Sequence, residues 1–327
     1  MKKSFKIIGV VLVVFALLLG GYHGISSIIT HNNYNPGNEE KFIDNEDLNW
    51  EFGTLLSIYI DMSYSGVSLV NEHYDGECDY TDKGFGNYEF YSKLQNSYED
   101  LKLTNPYNVI FNINQSKLTY EELDEENWFE TILNEFVDIE NSSSQLDNIV
   151  KKDNNLYKEI NDLPDSALVD ISISFNKKKS ASDIISYIND YDNSTLTYLV
   201  LGFEEDHFYG MSLNSVLPVT LTKEAIEKYP NLYIESEDTL SEALLQQNYL
   251  SRLQLLMDHQ DFIDLIKESS LNKNIDTLEE RYNNVENEFS VYGIRGLFAK
   301  KDLISLISEN ESLYIQIHDV VLSSFNN

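Results

Sequence analysis

Four histidines beyond residue 31 are the first candidates for catalytic or metal chemistry. They are His73, His207, His259 and His318, and none has a second histidine three or four residues away, where one helix face presents two ligands to a metal. The His-Glu-x-x-His, Gly-x-Ser-x-Gly and Ser-x-x-Lys signatures occur in no convincing context. We therefore expect no catalytic residue, no metal ligand, no cofactor-binding residue and no cofactor.

Residues 189–194, Asn-Asp-Tyr-Asp-Asn-Ser, place side-chain oxygens at alternate positions, as calcium loops do. An EF-hand loop also needs glycine at its sixth position and glutamate at its twelfth. Counted from Asp190, these positions hold Thr195 and Leu201. A polar turn between a helix and a strand is the better interpretation.

Gly293 and Gly296 interrupt an apolar run, with Arg295 between them. The first interpretation is a β-bulge or a close approach of two strands, because glycine in a strand often marks either feature. The alternative is a site where a ligand or peptide approaches the backbone and Arg295 holds its charge.

The elements that position these residues are clearest in the second half of the chain. Alternating apolar and polar residues or a continuous apolar run predict four strands, and caps and apolar spacing predict helices after the first strand (from Ser180) and after the third (302–307). A helical insertion over 240–267 and 275–287 separates two β-α-β units. These units predict a ferredoxin-like β-α-β-β-α-β core, with a parallel three-layer α/β sheet as the alternative. The predicted strands cover 167–175, 196–203, 290–299 and 313–322.

The first half has weaker patterns. Leu56, Ile58 and Ile60 alternate with polar residues and predict a strand, and further strands are predicted at 88–91 and 109–113. Residues 118–163 are rich in acids and predict helix, with one apolar face. A domain boundary is predicted near residue 162, and the whole chain is predicted to be α+β. The apolar face comprises Trp128, Ile132, Leu133 and Phe136.

Residues 7–30 contain no charged side chain, and three lysines precede them. At about 1.5 Å per residue a helix of this length reaches about 36 Å, enough for a hydrocarbon core of roughly 30 Å. We expect a transmembrane anchor, with residues 1–6 in the cytoplasm and the chain after a linker (31–49) outside the cell membrane. A cleaved signal peptide is the alternative, although no Ala-x-Ala site follows the apolar run.

The chain carries 55 acidic against 23 basic residues, a net charge of −32. Such a charge repels nucleic acid and anionic lipid head groups and favours cationic partners. Cys78 is the single cysteine, so an intrachain disulfide and a cysteine-based zinc site are both excluded. Stability must come from packing.

Three segments of the second half resemble the anti-sigma-factor C-terminal (sigma factor regulator) domain of Firmicutes. They are ALVDISISFNKKKS at 167–180, VYGIRG at 291–296 and IHDVVL at 317–322. Upstream, GFGNY at 84–88 and NPYNVI at 105–110 are similar to the companion N-terminal regulator region. The resemblance implies an N-terminal extracytoplasmic regulator region over 50–162 and a sigma factor regulator-like domain over 163–327.

The resemblance further implies regulation of an extracytoplasmic-function sigma factor across the membrane. Members of the family usually carry tens of cytoplasmic residues that hold the sigma factor, whereas this chain offers only residues 1–6. Six residues cannot bury the roughly 800 Å² per partner that a stable interface needs. We therefore expect a separate cytoplasmic anti-sigma or sigma protein as partner.

Three functions follow as hypotheses. The first is a single-pass, non-catalytic regulatory or sensory protein of the envelope that resembles anti-sigma factors. The second is a cell-envelope binding or structural protein without a role in transcription, which binds an envelope ligand. The third is a surface hydrolase, and it is the weakest because the abundant neighbouring carboxylates do not by themselves indicate an acid–base pair.

Overall fold

In a computed structural model of the chain, the described residues form an α+β fold with two antiparallel sheets, as the sequence predicts. The predicted anchor and cytoplasmic tip lie outside these residues. No helix in the described part of the chain is long and apolar enough to cross a membrane. The described residues are 34–36, 51–70, 80–96, 107–122, 135–139, 149–150, 154–190, 194–204, 207–213, 222–232, 234, 240–310 and 312–322.

The smaller sheet has the order β1-β3-β4-β5, and β2 pairs with β3. In β3, β4 and β5 alternate side chains are buried or packed against the core, so one face of the sheet lies on it. The strands predicted at 88–91 and 109–113 are confirmed within β3 and β4. The bounds are β1 Val67–Val70, β2 Tyr80–Gly84, β3 Asn87–Asn96, β4 Tyr107–Asn114 and β5 Lys117–Glu122.

The larger sheet has the order β6-β11-β7-β10-β8-β9. All of its pairs are antiparallel, which excludes the parallel three-layer alternative. Helix α3 connects β7 to β8 and helix α8 connects β10 to β11, so the four predicted strands and both helices are confirmed. The bounds are β6 Ile149–Val150, β7 Ala167–Ser180, α3 Ala181–Asp190, β8 Thr195–Glu204, β9 His207–Ser212, β10 Ser290–Ala299, α8 Lys300–Glu309 and β11 Leu313–Leu322.

Helix α1, Glu51–Ser63, replaces the strand predicted around residue 58. Phe52, Leu55, Leu56, Tyr59 and Ile60 recur at the spacing of one helix face, and all are buried. The strand prediction was wrong because further residues of α1 are buried on other sides of the helix. Because α1 is buried on most of its sides, it also carries apolar residues at alternate positions, which is the pattern typical of a strand.

The helix predicted over 118–163 is also corrected. Residues 117–122 form β5, where Leu118 and Tyr120 turn inward while Lys117, Thr119 and Glu121 lie on the exposed side. Phe136 lies in the non-helical segment 135–139, and the other three residues of the predicted apolar face lie outside the described residues. Among the described residues of this stretch, a helix, α2, covers Asn155–Asp162.

The helical insertion lies between β9 and β10. The single helix predicted over 240–267 is two helices, because Asp258 ends the first and its carboxylate accepts hydrogen bonds from Tyr229 and Gln254. The helix predicted over 275–287 begins as a 3₁₀ turn at Ile275–Thr277. The helices are α4 Lys223–Lys228, α5 Glu242–Met257, α6 Gln260–Lys267 and α7 Leu278–Asn287.

The core is continuous across the two sheets and the insertion. Phe52 of α1 joins them, since its ring centroid lies 4.4 Å from that of Phe90 on β3 and 6.1 Å from that of Phe262 on α6. Side chains from both sides of residue 162 therefore belong to one core. The domain boundary near residue 162 stays a prediction from the sequence. Helix α1 brings the upstream part of the chain onto the downstream part.

Candidate functional site: a buried network around Arg295

The second face of the larger sheet carries buried polar side chains. In β7, Val169, Ile171 and Ile173 pack into the core, and the alternate residues Asp170 and Ser172 point to the opposite face. Both are almost fully buried. Polar positions of an alternating strand ordinarily face water, but here the fold covers them.

Arg295 of β10 is the cation of this face. Its Nη1 donates to Glu135 Oε1 at 2.7 Å and to the Ser65 carbonyl oxygen at 3.0 Å, and its Nη2 lies 3.4 Å from Asp170 Oδ2. The Arg295, Glu135 and Asp170 side chains are each at most 6 % exposed. Charges buried this deeply require partners, and here one cation serves two carboxylates.

A serine and a histidine complete the cluster. Ser172 Oγ lies 2.8 Å from His318 Nε2 and donates to Glu135 Oε2 at 3.2 Å, while Ser65 Oγ donates to the same oxygen at 2.9 Å. We call Arg295, Glu135, Asp170, Ser172, His318 and Ser65 the Arg295 network.

The geometry of the Arg295 network is that of a structural site. In a Ser–His hydrolase the imidazole accepts the serine proton and a carboxylate bonds to the other ring nitrogen. Here Ser172 Oγ lies within hydrogen-bond distance of Glu135 Oε2 as well as of His318 Nε2. Glu135 lies 3.8 Å from that same Nε2, and Ser172 is fully buried. The serine is thus not positioned as a nucleophile.

Two upstream segments are held on the sheet by this network. The turn after α1 supplies Ser65 and Gly66, whose φ of +69° favours glycine; a Cβ there would lie 2.7 Å from Arg295 Cζ. The segment 135–139 supplies Glu135 and the Val137 amide, which donates to Ser174 Oγ at 3.0 Å. Both segments therefore depend on polar groups of the larger sheet.

Gly293 and Gly296 fit the first interpretation given to them. The register of β10 shifts next to Gly293 against β7 and next to Gly296 against β8. A Cβ at Gly293 would lie 3.0 Å from Phe136 Cδ1, and one at Gly296 would lie 2.5 Å from the Thr195 carbonyl oxygen. The charge partners of Arg295 belong to its own chain.

Three buried tyrosines hold the C-terminal end of α1. Tyr59 Oη donates to the Leu271 carbonyl oxygen at 2.8 Å and accepts from the Lys273 amide at 2.8 Å. Burial raises the pKa of Tyr59 to about 12. Tyr198 of β8 donates to the Met62 carbonyl oxygen at 2.7 Å. The third, Tyr64, donates to the carbonyl oxygen of Leu271 at 3.0 Å.

We expect Tyr198→Phe to lower the free energy of unfolding by about 1–2 kcal/mol, because the Met62 carbonyl loses its buried partner. Urea unfolding of the purified full chain measures this. Tyr91→Phe removes the hydroxyl of an exposed tyrosine and is the matched control, with an expected loss below about 0.5 kcal/mol. Equal losses in the two variants would show that the Tyr198 bond does not hold α1.

Burial lowers the pKa of His318, and the nearby charge of Arg295 lowers it further. The unfolded chain then binds more protons than the folded chain below the ordinary histidine pKa of about 6.5, so stability falls as the pH drops through this window. When the pH is lowered from 7 to 5.5, we expect the free energy of unfolding to fall less in the His318→Gln variant than in the wild type. Parallel pH profiles for the two proteins would contradict this assignment.

A second buried ion pair lies where β8 meets the insertion. Arg281 of α7 donates through Nε to Glu204 Oε1 at 3.1 Å and through Nη2 to Oε2 at 2.7 Å. Its Nη2 also donates to the Lys273 carbonyl oxygen at 2.7 Å, and its guanidinium lies 5.0 Å from the Tyr209 ring centroid. Burial is the largest single influence and acts to lower the pKa of Arg281, but the hydrogen bond with Glu204 and the nearby Tyr249, Glu204 and Tyr59 together outweigh it, so the pKa is raised.

The histidines considered from the sequence are not brought together. His318 belongs to the Arg295 network, His259 lies at the break between α5 and α6 with Nδ1 2.6 Å from the Leu255 carbonyl oxygen, and His207 begins β9. His73 and residues 191–193 of the calcium-like loop lie outside the described residues. Within the described ranges, no group of three or more His, Cys, Asp or Glu side chains could hold a metal ion.

Comparison with known protein families, with characterised proteins and with solved structures finds no match for this chain.

Proposed function

We propose that this chain is a membrane-anchored, extracytoplasmic regulatory protein related to anti-sigma factors, without catalytic activity. The observation that supports it most is the placement of the three segments that resemble the sigma factor regulator domain. Residues 167–180, 291–296 and 317–322 belong to β7, β10 and β11, which are neighbours in one sheet. Segments that are far apart in the sequence thus lie side by side.

The finer fold in this proposal is a ferredoxin-like core. In that fold two β-α-β units interlock, and the fourth, first, third and second strands follow one another across an antiparallel sheet. The order β11-β7-β10-β8, with α3 and α8 as the two connections, agrees with this arrangement. Strands β6 and β9 and the helices between β9 and β10 are then additions to the core.

The Arg295 network supports a regulatory rather than a catalytic role. Its groups bond to one another, and together they hold two upstream segments on the larger sheet. Helix α1 follows the predicted linker directly and ends at the tyrosine contacts. In the proposed protein, the anchor is therefore connected through α1 to the contact between the upstream and downstream parts.

Deletion of the gene followed by transcript profiling tests this proposal. We expect a limited set of transcripts to change, and complementation with the wild-type chain to restore them. A complementing chain in which Lys2, Lys3 and Lys6 are replaced by glutamine should restore them less, because the tip is where a cytoplasmic partner would bind. An unchanged transcript profile would reject regulation and leave the cell-envelope binding or structural protein.

A further inference from the structure

The outward face of the smaller sheet differs from the rest of this acidic chain. It is formed by β3, β4 and β5, whose opposite faces lie on the core. At its centre Tyr91 lies opposite Ile110, which lies opposite Glu121. We call the outward side chains of Tyr91, Asn108, Ile110, Asn112, Thr119 and Glu121 the outer face.

Tyr91 is the aromatic member of the outer face. It is 42 % exposed, and among the large apolar side chains that the described residues leave exposed it is the only aromatic one. Its hydroxyl donates to Asn108 Oδ1 at 2.9 Å. Because Asn108 lies opposite Lys93 rather than opposite Tyr91, the ring leans diagonally across β4 and presents one side outward.

Amide side chains recur along β4, the strand beside this ring. Strand β4 alternates buried apolar residues with outward residues, and three of its four outward positions are asparagine, at 108, 112 and 114. An asparagine amide offers both donors and an acceptor, which is what vicinal hydroxyl groups require. An exposed aromatic ring between amides combines an apolar contact with hydrogen bonds that fix orientation.

The charges at this face nearly balance. Among the described residues, Lys83, Lys93 and Lys117 lie at or beside it, against Asp82, Glu89, Glu121 and Glu122. The Lys83 and Glu89 side chains form an ion pair at 3.1 Å. The whole chain carries −32. A cation finds little excess of acid at these residues, and a polyanion is repelled by the rest of the molecule. The face therefore suits an uncharged ligand.

We propose that the outer face binds an uncharged, extended polysaccharide. Its sugar rings stack on Tyr91, and its hydroxyl groups bond to the amides of Asn108 and Asn112. The strands are spaced by about 4.8 Å, so the face is wide enough for several consecutive rings. This inference goes beyond the regulatory proposal and does not depend on it.

Isothermal titration of the full chain in a zwitterionic detergent without a sugar head group tests the inference. The probes are cellohexaose, the hexamer of N-acetylglucosamine, and polygalacturonate as a charged comparison. We expect at least one uncharged hexamer to bind, Tyr91→Ala to weaken that binding about tenfold, and Asn112→Ala to weaken it less. Ile226→Ala, on α4 and also exposed, is the matched control and should bind as the wild type does.

Three results would overturn the inference. They are the failure of both uncharged hexamers to bind at about 10 mM, binding that Tyr91→Ala leaves unchanged, and binding of polygalacturonate alone. Each variant is checked by urea unfolding, and Tyr91→Phe, which keeps the ring, must retain most of the binding even if Tyr91→Ala is unstable. Transcript profiles of the gene deletion are a separate measurement, so either proposal can fail while the other stands.

Discussion

Replacing Arg295 with methionine should lower the free energy of unfolding by about 3–5 kcal/mol, since it leaves two buried carboxylates without their cation. Glu135 loses its hydrogen bond of 2.7 Å and Asp170 loses its counter-charge. A typical domain has only about 5–15 kcal/mol of stability in total. Urea unfolding of the full chain, followed by circular dichroism, measures the loss.

The matched control is Lys83→Met, which breaks an ion pair between side chains that are 50 % and 38 % exposed and should cost about 1 kcal/mol or less. Adding Glu135→Gln and Asp170→Asn to Arg295→Met should recover part of the lost stability, because the unpaired charges are then removed. A loss as small as that of Lys83→Met would mean that Arg295 does not stabilise the fold.

Replacing Arg281 with methionine should lower the free energy of unfolding by about 3 kcal/mol or more. The Glu204 side chain, which is only 13 % exposed, then lacks its cation, and the Lys273 carbonyl oxygen loses a hydrogen-bond donor. Arg281→Lys should recover only part of this, since an ammonium group cannot make the paired contact of a guanidinium. Unfolding in urea again provides the measurement.

Glu204→Gln keeps a hydrogen-bonding side chain beside Arg281 and should cost less than Arg281→Met, because the two buried carbonyl contacts of Arg281 remain. If the glutamine variant is the less stable of the two, the carboxylate rather than the arginine determines the stability of this junction.

Much of the second half of the chain could be predicted because apolar residues alternate along β7 and β11 and because α3 begins at a side-chain cap. Ser180 Oγ, for example, accepts from the Asp183 amide at 3.1 Å at the start of α3. Helix α1 could not, because its burial on several sides leaves no single face to recognise. Strand β5 could not be predicted either, because its acids Glu121 and Glu122 begin an acid-rich stretch whose pattern predicts helix.

The Arg295 network could not be predicted from sequence patterns for a different reason. Glu135 and Arg295 are separated by 160 positions, and their pairing depends on tertiary packing alone. Ser172 and Asp170 occupy the polar positions of an alternating strand, which ordinarily face water. The one available signal was Arg295 itself, an arginine within an apolar strand between two glycines, and it indicated a charge partner without identifying it.

Hydrogen exchange of the full chain, read by mass spectrometry, tests most directly whether the Arg295 network holds the upstream part on the larger sheet. We expect residues 63–66 and 135–139 to be protected in the wild type and to lose protection together in Arg295→Met, while β7 and β10 keep theirs. Rapid exchange of both segments in the wild type, or their unchanged protection in Arg295→Met, would show that the Arg295 network does not hold them on the larger sheet.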